Sequence, residues 1–289
     1  MNLNHISKSV VGLVRSANED FIGDFITKDN LRVFVVCDGM GGHVGGAKAS
    51  QTAVNSISEY FNGNPSGIVQ VALKEAIEFA NIQIYGEAQT NPSLSGMGTT
   101  CVVLAEKDGL LYLAHVGDSR CYIFSDNKLY RITKDHSYVQ TLVDKGEISD
   151  AEMESHPRKN ELTKALGISD SIEVEVVPDP IKAKKSDKFL LCSDGLTGLV
   201  TDKTIAKTIR DNSDLNSCVN KLIKLAEDGG GHDNISTDLI EVGESEHKTS
   251  SFVSKNNPSF NQTQTQDGVT ENTSSVINTK AILISTILL

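Results

Sequence analysis

Apolar positions in this chain recur with two periods, and the switches between them mark out its elements. Val33-Phe34-Val35-Val36-Cys37 is continuously apolar, as a strand buried on both faces would be. It stops at Asp38-Gly39 and enters a glycine-rich turn that runs through Gly41, Gly42, His43, Gly45 and Gly46. Helical spacing follows twice. Ala49, Ala53, Ile57, Tyr60 and Phe61 mark one apolar stripe, and Val71, Ala72, Ala76, Phe79, Ala80 and Ile84 mark the next. Asn64-Pro65-Ser66-Gly67 breaks the chain between them, and the two helices are expected to cover one face of a sheet.

From Gly98 the period shortens. Residues 99–105, 110–116 and 120–124 are β-rich and are separated by the turn residues Lys107-Asp108-Gly109 and Gly117-Asp118-Ser119. This spacing predicts an antiparallel meander, with a short further strand at 129–132. The charged stretch from His136 to Leu166 reads as mostly helical. Strands are expected at 173–177, 187–193 and 235–242, and helices at 202–210 and 215–227. Residues 1–30 hold only short apolar pieces around Arg15-Ser16-Ala17-Asn18-Glu19-Asp20, which alone reads as a surface turn.

One device occurs twice. Phe189-Leu190-Leu191-Cys192-Ser193-Asp194-Gly195 repeats the apolar strand that ends in Asp-Gly. The first copy is not a nucleotide loop. A dinucleotide fingerprint counted from Gly39 and Gly41 needs glycine at Val44, and a P-loop counted from Gly41 and Gly46 needs lysine at Ala47. Five aspartates, Asp20, Asp38, Asp118, Asp194 and Asp233, lie at the edges of apolar or turn segments. Together they would form a hard-oxygen site suited to Mg²⁺ or Mn²⁺. Without a cation, two carboxylates about 4 Å apart repel by roughly 4 kcal/mol at an effective dielectric near 20. The aspartates are therefore either dispersed and structural or held together by cations.

Composition narrows the classes. With 289 residues and 38% hydrophobic content, the chain can build one large domain or two small ones. Its net charge of -11 argues against nucleic-acid binding. The cysteines at 37, 101, 121, 192 and 218 are odd in number and widely spaced, which fits a reducing cytoplasm and excludes a CxxC knuckle. None has arginine six places later, so cysteine-based phosphatase chemistry is excluded. The N-terminus shows no apolar signal segment. Ser, Thr, Asn and Gln fill 21 of the 37 positions from 244 to 280, a composition that reads as a disordered linker. Residues 281–289 are abruptly apolar but too short for a spanning helix, which needs about 20 residues. They read as a cut-off membrane anchor or a short sticky tail.

Seven short motifs then stand in order: Arg15 to Asp20, Asp38-Gly-Met-Gly-Gly-His43, Gly98-Thr99-Thr100, His115-Val-Gly-Asp118-Ser119-Arg120, Thr133-Lys-Asp135-His136-Ser137, Ser193-Asp194-Gly195-Leu196 and Gly230-Gly-His-Asp233-Asn234-Ile235. Together they resemble the metal-dependent protein phosphatase family, the type 2C Ser/Thr phosphatases, in its compact bacterial form. The resemblance covers about residues 5–243. It implies an α+β fold: a central β-sandwich of two antiparallel sheets flanked by helices, in a catalytic domain at 1–243.

The resemblance also implies roles. Asp38, Asp194 and Asp233, with the Gly39 carbonyl, resemble ligands of two Mn²⁺ or Mg²⁺ ions, and Asp20 resembles a carboxylate that holds metal-bound water. Asp118 with Asp194 resembles the pair that holds a third ion. Arg15 resembles a phosphate clamp, and His43 the acid for the leaving oxygen. The segment from His136 to Leu166 resembles a flap beside the active site. The implied substrates are phosphoserine and phosphothreonine proteins, with a Ser/Thr kinase acting in opposition. The implied enzyme is a cytoplasmic monomer that touches a membrane only if the C-terminal tail continues as an anchor. A catalytically weak relative acting as a binding module is the alternative. It is disfavoured because none of the metal carboxylates is replaced.

Overall fold

The computed structural model describes residues 1–63, 65–153 and 155–243. The linker expected at 244–280 and the tail at 281–289 lie outside the described residues. In chain order the strands are β1 (Asn2–Val10), β2 (Phe21–Ile26), β3 (Arg32–Cys37), β4 (Gly39–Met40), β5 (Gly98–Thr99), β6 (Cys101–Lys107), β7 (Leu110–Val116), β8 (Arg120–Ser125), β9 (Lys128–Arg131), β10 (Glu175–Val176), β11 (Lys188–Cys192) and β12 (Ile235–Gly243). The helices are α1 (His43–Asn62), α2 (Val69–Thr90), α3 (Tyr138–Asp144), α4 (Asp150–Met153), α5 (Asp194–Thr197), α6 (Asp202–Asp211) and α7 (Leu215–Asp228).

Two five-stranded antiparallel sheets, β1-β12-β11-β8-β9 and β10-β7-β6-β3-β2, pack face to face, and β4 and β5 form a small ribbon. The continuous apolar runs follow from this layering. Phe34 and Val36 point into the core between the sheets with Phe189, Leu191 and Ile240. Val33, Val35 and Cys37, on the opposite face of β3, pack against α1 and α2 through Ala53, Ile57, Ile77 and Ala80. Leu190 and Cys192 of β11 likewise face α6 and α7 through Ile205, Val219 and Leu222. A strand covered on both sides has no polar alternation to display.

The structure departs from the sequence reading in three places. β1 and β2 are full strands, where only short apolar pieces are legible. Both lie at sheet edges, where the half-buried Ser7 and Lys8 and the exposed Asp24 dilute the pattern. The meander breaks after β7, because β7 and β8 belong to different sheets and Gly117-Asp118-Ser119 crosses between them. Among its described residues, the stretch from His136 to Leu166 is mostly irregular and carries only the short helices α3 and α4.

Register decides where the motifs meet. Phe21 pairs with Cys37, Val10 with Ile235, Cys192 with Thr237 and Arg120, and Cys101 with Val116. Asp20, Asp38, Asp118, Asp194 and Asp233 each lie just beyond one of these strand ends, and so at one end of the sandwich. None of the described helices is long and apolar enough to cross a membrane.

Candidate metal centre

Asp38 leaves β3 into a backbone clamp. Its N–H donates to Thr100 Oγ1 at 3.0 Å, and its carbonyl accepts from the Thr100 N–H at 2.8 Å and from Thr99 Oγ1 at 2.8 Å. This is the work of the Gly98-Thr99-Thr100 motif. Gly39 must lack a side chain, since a Cβ there would fall 2.1 Å from the Gly46 carbonyl oxygen and 2.4 Å from that of Glu19. Asp194 opens α5 after Ser193, and a Cβ on Gly195 would sit 1.9 Å from the Asn234 carbonyl oxygen. The second Asp-Gly therefore lets the β11 and β12 ends approach closely.

Asn234 ties the opposite side. Its Oδ1 accepts the Glu19 N–H at 2.8 Å, and its Nδ2 donates to the carbonyls of Val11 and Ala17, each at 2.9 Å. One amide side chain thus fixes the loop that carries Arg15 and Asp20 beside Asp233. Arg15 is exposed, and its guanidinium donates to Asp233 Oδ2 at 2.7 Å. Asp233 Oδ1 accepts the Asn234 N–H at 2.8 Å. Asp20 is buried. Ser193 Oγ donates to its Oδ2 at 2.8 Å, while its Oδ1 is buried with no hydrogen-bond partner.

The carboxylates act on one another. Burial, then the charges of Asp20, Asp194, Asp118 and Asp233, push the Asp38 carboxyl well above its usual range. Asp38 also hydrogen-bonds Asp194, whose pKa is raised by burial and by Asp233. Burial raises Asp20 to about 7, against the lowering effect of the Ser236 and Ser193 hydrogen bonds, and the charges of Asp194 and Asp233 add to it. Asp118 is raised by burial and then by Asp194 and Asp135. Asp20, Asp38, Asp118 and Asp194 are raised together, and Asp233 adds its charge to the same field. Asp38, Asp118, Asp194 and Asp233 line a cleft of about 460 Å³ together with Arg15, Gly39, Gly41 and Gly42, and Asn160, Glu161 and Leu162 of the flap close its other wall, while Asp20 is buried outside that lining.

This donor set suits a hard divalent cation: carboxylate oxygens crowd together, and one of them is buried and unsatisfied. A cation would offset the repulsion, and water held by it would satisfy Asp20 Oδ1. His43 is the first residue of α1, directly after the cleft-lining Gly42, and its side chain lies outside what is described. In the flap, Arg158 stacks on Tyr138 at 3.5 Å and forks onto Glu161 at 2.7 and 2.6 Å, so its charge is paired within the flap. Sequence reasoning assigned no role to Thr99, Thr100, Ser193 or Asn234. Their presence inside the ordered motifs was the available signal.

A model of the family described as Protein phosphatase 2C matches residues 14–235. The chain belongs to the protein phosphatase 2C family. It is similar to "Serine/threonine protein phosphatase PstP" of Mycobacterium tuberculosis, with 36% identity over 240 residues, 83% of this chain and 45% of that protein. The chain thus matches less than half the length of that relative. It is also similar to "Serine/threonine phosphatase stp" of Listeria welshimeri, with 37% identity over 80% of this chain and 92% of the relative. Among solved structures it resembles the catalytic domain of PstP in complex with two manganese ions, with a TM-score of 0.74, 33% identity and coverage of 84% of this chain and 99% of that one. The expected sandwich is therefore the fold of the family.

Proposed function

We propose that this protein hydrolyses phosphoserine and phosphothreonine on proteins with Mn²⁺ or Mg²⁺. The observation that carries the reading is the convergence of Asp38, Asp118, Asp194 and Asp233 on one cleft with Arg15 at its side and with the buried Asp20 coupled to their charge. Asp38, Asp194, Asp233 and the Gly39 carbonyl would hold two ions, and Asp118 with Asp194 a third. Bound cations supply charge neutralisation and Lewis acidity.

The chain's own residues do the rest. Arg15 leaves Asp233 and grips two phosphate oxygens, which its planar fork suits. The free Oδ1 of Asp20 accepts a hydrogen bond from the attacking water and aims it in line with the scissile bond. His43, at the glycine-rich rim, gives a proton to the departing Ser or Thr oxygen, since its ordinary pKa lies near neutrality. The activity opposes a Ser/Thr kinase. The five buried, unbridged cysteines support a reducing cytoplasmic setting. We further propose a monomeric catalytic domain at 1–243, with membrane contact only through the apolar tail. Hydrolysis of a phosphothreonine peptide with Mn²⁺, and its loss on adding chelator, tests the assignment. A folded protein that releases no phosphate with Mn²⁺ present would be a binding module instead.

A further inference from the structure

The Gly117-Asp118-Ser119 crossover leaves one sheet and has not yet joined the other, so no strand ladder holds it. The segment Thr133 to Ser137 replaces that ladder. Thr133 Oγ1 accepts the Cys121 N–H at 3.0 Å, the Lys134 carbonyl accepts the His115 ring N–H at 2.8 Å, and Asp135 takes a forked contact from Arg120 at 2.6 to 3.1 Å. His136 holds both peptide groups that flank Gly117, the residue just before Asp118. Its backbone N–H donates to the Gly117 carbonyl at 2.9 Å, and its ring Nδ1 accepts the Gly117 N–H at 3.2 Å. On the other flank Gly117 adopts a φ of 100° with Thr100 so close that a Cβ would lie 2.6 Å from its methyl group.

The tautomer follows. An Nδ1 that accepts leaves the proton on Nε2, which donates to Glu175 Oε2 at 3.1 Å. Stacked against this ring at 4.8 Å is His115, whose Nδ1 is buried without a partner. The two histidines and Glu175 have the composition of a metal site, but a protonated Nε2 on His136 has no lone pair for an ion. The cluster is better explained as a support.

We propose that His136 is a positioning residue, which fixes the Asp118 carboxylate in the cleft by accepting the Gly117 N–H. The proposal rests on the phosphatase reading for its consequence in turnover. A ring buried beside a glycine turn replaces the missing strand partner and, with the His136 backbone N–H on the Gly117 carbonyl, prevents Gly117 from rotating. Asp118 follows Gly117 directly, so rotation about Gly117 carries its carboxylate away from Asp194.

Two substitutions separate the ring's functions. Asn places an amide oxygen where Nδ1 stood, while Gln places its polar end where Nε2 stood and leaves the Gly117 N–H unpaired. His136→Gln should lower kcat on p-nitrophenyl phosphate by between about tenfold and a hundredfold, with KM within about twofold. His136→Asn should keep most of the turnover. The decisive comparison is with Asp118→Asn: in the double variant, His136→Gln should add no further loss, because both changes remove the same contribution. Mn²⁺ titration calorimetry reads the same support without turnover. His136→Gln and Asp118→Asn should both weaken the weakest binding step and leave the tighter ones. If the two losses multiply, if Asn and Gln fall alike, or if the weakest Mn²⁺ step is untouched in His136→Gln, the proposal is overturned. A wild-type protein that binds Mn²⁺ but releases no phosphate would remove the phosphatase reading, and calorimetry would still decide the role of His136.

Discussion

The Ser193 hydroxyl donates to one oxygen of Asp20 at 2.8 Å, and the other oxygen of that carboxylate is buried with no partner. A buried unpaired oxygen on an ionisable group is costly, and a folded protein tolerates it where a ligand completes the site. Ser193 also accepts the Ser236 N–H at 3.0 Å, so the two strands that deliver Asp194 and Asp233 orient Asp20 as well. Orientation by this pair leaves Oδ1 without a protein partner.

Removing a metal carboxylate should abolish turnover and spare the fold. Asp38→Ala and Asp194→Ala should each lose at least about a hundredfold in kcat/KM, since the cation stabilisation lost is worth several kcal/mol. Steady-state hydrolysis of a phosphothreonine peptide, with circular dichroism as the folding control, checks this. Near wild-type turnover in either variant would refute the ligand assignment.

Metal should stabilise the domain. Binding to the native state alone contributes about 2.7 kcal/mol at a hundredfold excess over Kd. Asp38→Asn should raise the metal-free Tm, because it removes a carboxyl that the crowded field makes costly to ionise, and should shrink the gain on adding Mn²⁺. Calorimetric melts with Mn²⁺ and with chelator measure both. A wild-type Tm indifferent to Mn²⁺ would contradict the carboxylate site.

Arg15→Ala should separate phosphate binding from metal binding. The guanidinium lies at the cleft and bonds Asp233 through one nitrogen, at 2.7 Å. Its loss should raise KM by about tenfold, the effect of one charge-assisted contact, while Mn²⁺ still binds. Asp118→Ala should show the reverse, a fall in kcat at nearly constant KM. Identical kinetic profiles for the two variants would argue against distinct roles.

Between the two sheets, His5 sets a pH dependence unconnected with catalysis. Its ring bonds Asp238 and Asp24, each at 3.0 Å. Burial alone would lower its pKa, but the hydrogen bonds and charges of Asp238 and Asp24 raise it to about 9. The folded protein therefore keeps a proton that the unfolded chain releases near 6.5. This stabilisation is complete below pH 6.5, declines as pH rises and is gone above about 9. Its size is on the order of 3 kcal/mol. Urea unfolding of wild type and His5→Gln at pH 6 and pH 10 should show a difference that is large at pH 6 and small at pH 10. A constant difference would mean that His5 is uncharged in the fold.

Deleting residues 244–289 should leave peptide hydrolysis within about twofold of wild type. β12 ends at Gly243, paired with Asn2 at the sandwich edge, and the cleft is lined by residues from 15 to 234. Strong loss of activity or solubility in the shortened protein would place the domain boundary further along.

The doubly buried strands, the two long helices and the pair of Asp-Gly ends are legible in the sequence because each is a local consequence of burial period and turn chemistry. β3 and β11 announce themselves by continuous apolar runs, since both of their faces are covered. The identity of the five aspartates is legible too, because hard-oxygen chemistry restricts the residue types. Edge strands β1 and β2 are not legible, since an edge position permits Ser, Lys and Asp where the interior would not. Nor does any period along the chain place Asp118 at a crossover between sheets, or Asn234 under the loop that carries Arg15. Those relations depend on strand register, which fixes which ends lie side by side across separations of more than 200 residues, as between Val10 and Ile235. The sequence by itself determined which groups are available to hold a cation and where the chain must be buried. Only the tertiary structure decided that the carboxylates meet, that one Asp20 oxygen remains unpaired, and that His136 braces the turn beside Asp118. Packing energy and hydrogen-bond geometry between distant segments carry that information.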